Sequence, residues 1–215
     1  MERKNNDRRK KSDNAPNVWG IKEIVNVSLF GVLTGVMLFI GAFATVFNEV
    51  FSMIFSGPVG VLLAAPVYVM MVRRVDRFGV TSIAAIFIGL LFTLMGGYWY
   101  VFPWYVVVGV VVDVLWLRTP DMRRKAWNII FSWGVFGTLY VFSTLIPIWV
   151  EGDKYFESQK TTRGVSESYV QAYQDYWTNS TWVIIIHLVA LCASVLGAWF
   201  GTRMMRKHFE KASVL

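Results

Sequence analysis

Two ionisable residues stand inside otherwise apolar stretches of the sequence, and they are the first candidates for chemistry. His187 follows the apolar stretch Trp182-Val-Ile-Ile-Ile, about 7 Å below the expected outer end of its helix at a rise of about 1.5 Å per residue. An ionisable group at this depth is costly in a bilayer, so its default interpretation is a functional site. The alternative is a neutral imidazole that is hydrogen-bonded to a neighbouring helix.

Asp113 is the second ionisable residue, and it stands about one helical turn before Arg118. At that position an ion pair with Arg118 or with another loop arginine costs little, because a long arginine side chain can reach along a helix end. The sequence therefore favours a structural role for Asp113 and leaves His187 as the stronger site candidate.

Aromatic residues are concentrated between the apolar runs. Tyr98 and Trp99 stand in a short turn, and Trp182 stands near the start of the last run. The segment 166–177 (SESYVQAYQDYW) has its aromatic residues at helical spacings of three and four. This spacing predicts a short helix with an aromatic face, as expected of a lid over a flat, partly apolar ligand. The aromatic residues of that segment are Tyr169, Tyr173, Tyr176 and Trp177.

Enzymatic motifs are absent from the sequence. It has no H-E-x-x-H pair, no C-x-x-C pair, no Walker A loop and no G-x-S-x-G elbow. The single cysteine, Cys192, excludes a disulfide framework and a cysteine-rich zinc site. We expect a protein that is not an enzyme and has no intrinsic cofactor, and any ATP-driven role then requires partner subunits.

The elements that must position these residues are apolar helices. Of 215 residues, 55% are hydrophobic and 16% are charged, whereas soluble domains are about 25% charged. Five uncharged runs reach the roughly 20 residues that cross a bilayer. The third is long enough for two helices, and Met95-Gly-Gly-Tyr98 with Pro103 predicts a break within it. The sequence thus predicts an all-α polytopic membrane protein with six transmembrane helices, from the runs 24–48, 50–72, 78–112, 126–150 and 178–202.

The net charge of +7 is distributed in a pattern typical of membrane topology. Eighteen of the 21 Lys and Arg residues fall in four segments that six spans would bring to one side. The positive-inside rule identifies that side as the cytoplasm. We therefore expect both termini to be cytoplasmic, and nucleic-acid binding is not indicated. The four segments are 1–22, 73–77, 118–125 and 203–211.

This topology divides the chain into three parts. Residues 1–20 are basic and polar, without the apolar stretch of a secretory signal, and predict a disordered cytoplasmic tail. Residues 21–205 form the membrane domain, with an external loop over 151–179, and residues 206–215 form a second cytoplasmic tail. In the first span, Gly31 and Gly35 have a spacing that lets another helix backbone approach closely. The alternative for these glycines is ordinary packing inside the bundle.

Several motifs resemble one family of bacterial membrane proteins. Gly57-Pro-Val-Gly60 opens the second span, and Val108-Gly-Val-Val-Val-Asp113 lies in the fourth. The chain ends with Arg206-Lys-His-Phe-Glu-Lys-Ala212 before its last three residues. With six short spans, these motifs resemble the Trep_Strep family, and the arrangement is similar to the substrate-binding S components of energy-coupling factor (ECF) transporters.

The resemblance implies a function. S components bind a micronutrient on the outer face of the bacterial cytoplasmic membrane and dock on a transmembrane T component that two cytoplasmic ATPases drive. Gly31 and Gly35 stand where S components have alanines, so the resemblance implies that they form the docking surface. The resemblance suggests haem or another iron or tetrapyrrole compound as the ligand. The aromatic residues and the histidine described above place the binding site at the outer end of the bundle. Its candidate residues are His187, Tyr98, Trp99, Tyr169, Tyr173, Tyr176, Trp177 and Trp182.

Haem would bind through an axial nitrogen of His187, with a tyrosine as the rival axial ligand. A vitamin such as a flavin or a pterin would use the same aromatic residues without a metal ligand. A membrane scaffold protein that binds no ligand is the remaining alternative.

Overall fold

The computed structural model describes residues 19–162 and 165–209. Residues 1–18 and 210–215, which make up most of the two predicted cytoplasmic tails, lie outside the described residues. Within the described ranges the regular elements are helical, and a 3₁₀ turn (Trp99–Val101) and a π turn (Met205–Phe209) accompany the α-helices. These are α1 (Ile21–Phe43), α2 (Glu49–Val75), α3 (Val80–Leu94), α4 (Phe102–Trp116), α5 (Pro120–Arg124), α6 (Ala126–Phe142), α7 (Leu145–Glu151), α8 (Asp153–Thr161), α9 (Glu167–Trp177) and α10 (Ser180–Met204).

Five helical segments of the described chain are long and apolar enough to cross a membrane. The third of the six predicted spans corresponds to α3, which has only 15 residues and is about 22 Å long at 1.5 Å per residue. That length is less than the hydrocarbon thickness of about 30 Å. The chain is therefore an all-α polytopic membrane protein with five candidate spans and one shorter apolar helix. The five segments are Ile21–Phe43, Glu49–Val75, Trp99–Trp116, Ala126–Glu151 and Ser180–Lys207.

The break predicted in the third apolar run is confirmed. Helix α3 ends at Leu94, and Gly96 has a φ of +91°, a left-handed conformation that glycine adopts without strain. The chain then turns through Trp99–Val101, and Pro103 occupies the first turn of α4, where its missing N–H costs nothing. Helices α3 and α4 pack against each other as a hairpin.

A second break divides the fifth apolar segment into α6 and α7. Pro147 cannot donate a hydrogen bond to the carbonyl of Ser143, and its ring would clash with that carbonyl in a regular helix. The chain accordingly forms a turn at Ser143 and Thr144, where the Ser143 carbonyl accepts from the Ile146 N–H at 3.2 Å. The break therefore brings two hydroxyl side chains to the middle of an apolar segment.

Helix α2 lies at the centre of the bundle, where it contacts α1, α3, α6, α9 and α10. Its closest contact is with α1, where Gly41 meets the backbone of Gly60. A Cβ atom on Gly60 would lie 2.8 Å from the carbonyl oxygen of Leu38. The two backbones can approach this closely only because both helices have glycine at the crossing, which is a common way to pack helices in lipid.

Asp113 is fully buried between α3 and α4, and within the described residues its carboxylate bonds to α3 rather than, as the sequence predicted, to Arg118 or another loop arginine. Its carboxylate accepts hydrogen bonds from the N–H groups of Thr81 (3.1 Å) and Ser82 (2.7 Å) and from the Ser82 hydroxyl (2.6 Å). The first N–H groups of a helix have no partner within the helix itself, and Gly79 provides no side-chain cap for α3. Asp113 therefore caps α3 from the neighbouring helix, which is a structural role.

The basic segments meet at one end of the bundle. Arg123 is buried, and its guanidinium bonds to Asp76 at 2.8 Å and to the Leu117 carbonyl at 2.9 Å. Arg77 lies 3.6 Å from Glu23, near the start of α1. These contacts join the α1 terminus to the segments at 73–77 and 118–125. The prediction that these segments share one side is confirmed for this end of the structure.

Filling the α1–α2 crossing should destabilise the protein. We expect Gly60→Val to cost about 1–3 kcal/mol, because the added methyl groups would push the two backbones apart. The measurement is the temperature at which detergent-solubilised protein loses its monodisperse peak on size exclusion. Val32→Leu, on the exposed side of α1, adds volume without this clash and should leave that temperature unchanged. Equal stability of Gly60→Val and the native chain would contradict the crossing.

Removing the Asp113 cap should also lower stability. Asp113→Leu leaves two N–H groups of α3 without an acceptor, at about 1–3 kcal/mol each. Asp113→Asn keeps one acceptor oxygen. In the same thermal assay, its temperature of peak loss should lie between those of Asp113→Leu and the native chain. The exposed Asp121 provides a control, since Asp121→Asn should have no effect. A stable Asp113→Leu variant would show that α3 does not depend on this cap.

Candidate functional site

The candidate site lies at the end of the bundle opposite the basic segments. Helix α2 runs from Glu49 to Val75, and its far end adjoins Asp76 and the basic end. At its near end, Glu49 accepts hydrogen bonds from the hydroxyls of Ser168 (2.8 Å) and Ser166 (3.4 Å). These bonds fasten the start of α9 over the mouth of the bundle.

The helix predicted over 166–177 is confirmed as α9, with the Ser166 side chain as its N-cap, accepting from the Tyr169 N–H. Its apolar face packs on the bundle, with Val170 and Trp177 buried. The rings of Tyr173 and Trp177 stack with their centroids 6.0 Å apart. Helix α8, which the sequence did not predict, packs beside α9 through Tyr155 and Phe156. Together α8 and α9 form the cover of the bundle.

A cavity of about 120 Å³ lies beneath the cover, between α2, α6 and α9. Its walls are aromatic and aliphatic, and hydroxyl groups project from several sides. The hydroxyl-bearing residues around it are Ser52, Ser56, Tyr105, Tyr140, Ser143, Thr144, Tyr169 and Tyr173.

A second chamber of about 170 Å³ adjoins the first. It extends toward the turn after α3 and is bordered by Tyr98, Tyr155 and Pro147. Five residues line both chambers and form the partition between them. The shared residues are Phe92, Tyr105, Ser143, Thr144 and Tyr173.

The hydroxyls at the partition have a defined hydrogen-bond order. Ser143 donates its proton to the carbonyl oxygen of Tyr140 at 2.6 Å. In the 3.0 Å bond between Ser143 and Tyr105 the phenol must therefore be the donor. The phenol oxygen of Tyr105 keeps its acceptor capacity, which a molecule in either chamber could use.

The phenols of the cover remain protonated at neutral pH. Burial raises the pKa of Tyr173 well above its ordinary value, and the neighbouring phenol of Tyr155 adds to that effect. The pKa of Tyr169 is also raised, mainly by burial, although a hydrogen bond with Ser52 opposes the shift. These groups are therefore available as neutral hydrogen-bond donors and acceptors rather than as phenolates.

Four of the residues predicted from the sequence line the chambers: Tyr98, Tyr169, Tyr173 and Trp177. Trp99 is 74% exposed and contacts the ring of Tyr100. Tyr176 packs against Trp182, with the ring centroids 4.8 Å apart, and neither residue lines a chamber. The structure thus brings half of the predicted set together at the chambers, and Trp99, Tyr176, Trp182 and His187 lie outside their lining.

His187 lies behind the wall of the cavity. Its Nδ1 is 2.7 Å from the carbonyl oxygen of Val183 in its own helix, so Nδ1 carries the proton and donates. Its ring packs edge-on against Phe142 and Trp177; Trp177 lines the cavity and His187 does not. Nε2 is buried and has no hydrogen-bond partner within the described residues.

Sequence reasoning missed the residues on α6 and α2 that line the cavity. Tyr140, Ser143 and Thr144 stand at the break caused by Pro147, and Ser56 lies on α2. A signal for them was present, because hydroxyl residues beside a proline in an apolar run mark a place where the helix is interrupted.

The glycines predicted to form a docking surface are buried inside the bundle. A Cβ on Gly31 would lie 3.1 Å from the Cα of Ala84, and one on Gly35 would lie 2.8 Å from a methyl of Leu91. Ala84 and Leu91 both belong to α3 of the same chain. In this structure the two glycines therefore serve packing inside the bundle, which was the alternative interpretation of the motif.

Comparison with known proteins gives one match. Residues 21–211 match a family described as hypothetical bacterial integral membrane protein (Trep_Strep). No curated protein and no solved structure matches the chain significantly. The matched range covers the whole helical bundle, the cover and the chambers. Because the match extends over most of its length, the chain belongs to the Trep_Strep family of bacterial integral membrane proteins.

Proposed function

We propose that this protein is the substrate-binding S component of an ECF-type importer and captures a small micronutrient beneath the cover. The observation that carries the proposal is the pair of adjoining chambers beneath the cover, which are lined by aromatic side chains and supplied with hydroxyl groups. Small-molecule sites in proteins are concave, mostly apolar and provided with a few oriented polar groups. A scaffold protein has no need of such an enclosed space.

The distribution of charge supports an external position for the chambers. Arg73, Arg77 and Arg123 lie at the opposite end of the bundle, with the other arginines of these segments. Basic loops are retained on the cytoplasmic side of bacterial membranes. The cover then faces outward, where an importer must meet its substrate, and both termini are cytoplasmic.

The energy for import would come from partner subunits. No Walker A loop occurs in the sequence, so ATP hydrolysis falls to two cytoplasmic ATPases acting through a transmembrane T component. Gly31 and Gly35 contact α3 in this structure, so we do not assign the T-component contact to them. The exposed side of α1, with Val25, Leu29 and Val36, is lipid-facing in the isolated protein.

The size of the chambers favours a vitamin-sized ligand over haem. The chambers measure about 120 and 170 Å³, and pockets for drug-sized ligands measure roughly 300–1,000 Å³. His187, the proposed axial ligand, stands behind Trp177 and outside the lining. Haem would therefore need a larger space than either chamber provides, whereas a single-ring or two-ring compound is closer to their size.

Ligand binding is tested on the purified native chain. We expect the protein to retain a small organic molecule without a Soret band in its absorbance spectrum. Ser56→Phe should abolish retention, because the ring would occupy the cavity. Leu188→Phe, on the exposed side of α10, is the matched control and should retain the molecule. A Soret band that His187→Ala removes would establish haem instead, and a protein that retains nothing would favour the scaffold.

Orientation is tested by cysteine labelling in intact cells, in a Cys192→Ala background. A cysteine at the exposed position Glu157 of the cover should react with a membrane-impermeant maleimide from outside. A cysteine at the exposed Arg118 should react only after permeabilisation, because the basic end is cytoplasmic. External labelling at Arg118 would reverse the orientation and contradict the proposed import function.

A further inference from the structure

We propose that the ligand of this site is uncharged at neutral pH and is bound by the hydroxyls of Ser56, Tyr140 and Thr144. This inference rests on the proposed function and names the chemical class of its substrate. It depends on three features of the chambers: the absence of charge from their walls, the presence of hydroxyls without partners, and their aromatic sides.

The first feature is the electrostatics of the lining. Among the described residues, no Asp, Glu, Lys, Arg or His borders either chamber. The nearby acids are already engaged, since Glu49 accepts from Ser168 and Glu151 accepts from the Tyr100 hydroxyl at 2.7 Å. An isolated charge transferred from water to an apolar site costs far more than a neutral polar group unless an opposite charge pairs with it. The chambers offer no such partner to a carboxylate, a phosphate or an ammonium group.

The second feature is a set of free hydroxyls. In the part of the chain that the structure describes, the side chains of Ser56, Tyr140 and Thr144 have no hydrogen-bond partner, although all three line the same cavity. All three residues are half-buried and line the cavity, so their hydroxyls are open to whatever occupies it. Three such hydroxyls around one small apolar space suit an occupant that supplies donors and acceptors.

The donor and acceptor capacities of the hydroxyls define which polar groups a bound molecule should carry. The Tyr105 phenol donates a hydrogen bond to the Ser143 hydroxyl, so toward a ligand it can only accept a hydrogen bond. Ser56, Tyr140 and Thr144 can each donate or accept. The site thus suits a molecule that carries both a donor and an acceptor, such as an amide, a lactam or a hydroxylated ring.

The third feature is the shape of the walls. Tyr105 and Tyr140 have nearly parallel rings, with an interplanar angle of 29° and centroids 6.0 Å apart. Phe92 meets the ring of Tyr140 edge-on at 5.4 Å. Aromatic faces and edges of this kind favour a flat unsaturated ring over an extended aliphatic chain. An uncharged heterocycle satisfies all three features, whereas flavin phosphates, folates and the propionates of haem carry charge.

The electrostatic claim is tested with thiol reagents of one reactive group and different charge. In a Cys192→Ala background, Ser56→Cys replaces a free hydroxyl with a thiol of similar size. Its thiolate attacks the sulfenyl sulfur of a methanethiosulfonate, forms a mixed disulfide and releases methanesulfinate. We compare the neutral methyl reagent with the anionic sulfonatoethyl and cationic trimethylammonioethyl reagents. Glu157→Cys, on the exposed side of the cover, is the reference.

We expect the neutral reagent to modify Ser56→Cys at least about tenfold faster than either charged reagent, after division by the rates at Glu157→Cys. A tenfold ratio corresponds to only 1.4 kcal/mol, well below the cost of an unpaired buried charge. Charged reagents that react at Ser56→Cys as fast as the neutral one would overturn the inference.

The ligand itself is tested by incubating the purified native chain with yeast extract and identifying the retained molecule by mass spectrometry. A retained compound that is neutral at pH 7 supports the inference, and Tyr140→Phe and Thr144→Val should each weaken its binding by about two- to tenfold. Thr138→Val is the control, since that hydroxyl bonds to the Gly134 carbonyl of its own helix. A retained charged compound overturns the inference while leaving the proposed function standing. Retention of nothing, with water alone in the cavity, overturns both.

Discussion

The close contact between α1 and α2 is the constraint on which the bundle depends. At the crossing of Gly41 and Gly60, no side chain separates the two backbones. A similar approach occurs on the other side of α2, where a Cβ on Gly197 would lie 2.7 Å from the carbonyl oxygen of Leu62. Pro66 cannot donate to that carbonyl within the helix, so a residue without a side chain can pack directly against it. Helix α2 is held at the centre because its neighbours can approach it this closely.

The polar contacts of the interior satisfy groups that lack a partner within their own helix. A membrane protein must satisfy its backbone donors and acceptors from within. Asp113 does so for the N-terminus of α3, whose first residues, Val80 and Thr81, are buried. Tyr68 links α2 to α3 and α6 through the hydroxyls of Thr81 (2.9 Å) and Ser132 (3.0 Å). These buried bonds lie toward the basic end and leave the opposite end free for a cavity.

The break at Ser143 and Thr144 connects this architecture to the proposed function. Among the described residues toward the basic end, hydroxyls bond to helix carbonyls, to one another or to the Asp113 carboxylate. Beside Pro147 the helix is interrupted, and hydroxyls turn toward the two chambers. Because the cover closes the chambers from above with phenols and an indole, the result is an enclosed space that is polar without being charged. The same proline that weakens the helix thus produces the hydrogen-bonding surface on which the proposed substrate class depends.

Local sequence patterns determined much of the secondary structure of this protein. Apolar runs predicted the long helices, Gly96 and Pro103 predicted the break after α3, and aromatic spacing predicted α9, since each depends on neighbouring residues alone. Tertiary structure decided which way each side chain points. Lipid and protein interior are both apolar, so an apolar helix has little contrast between its two sides. For this reason the sequence could not show that Gly31 and Gly35 face α3, that His187 lies behind Trp177, or that Asp113 caps a neighbouring helix. The cavity residues of α2 and α6 become a site only when packing brings helices distant in the chain together beneath the cover.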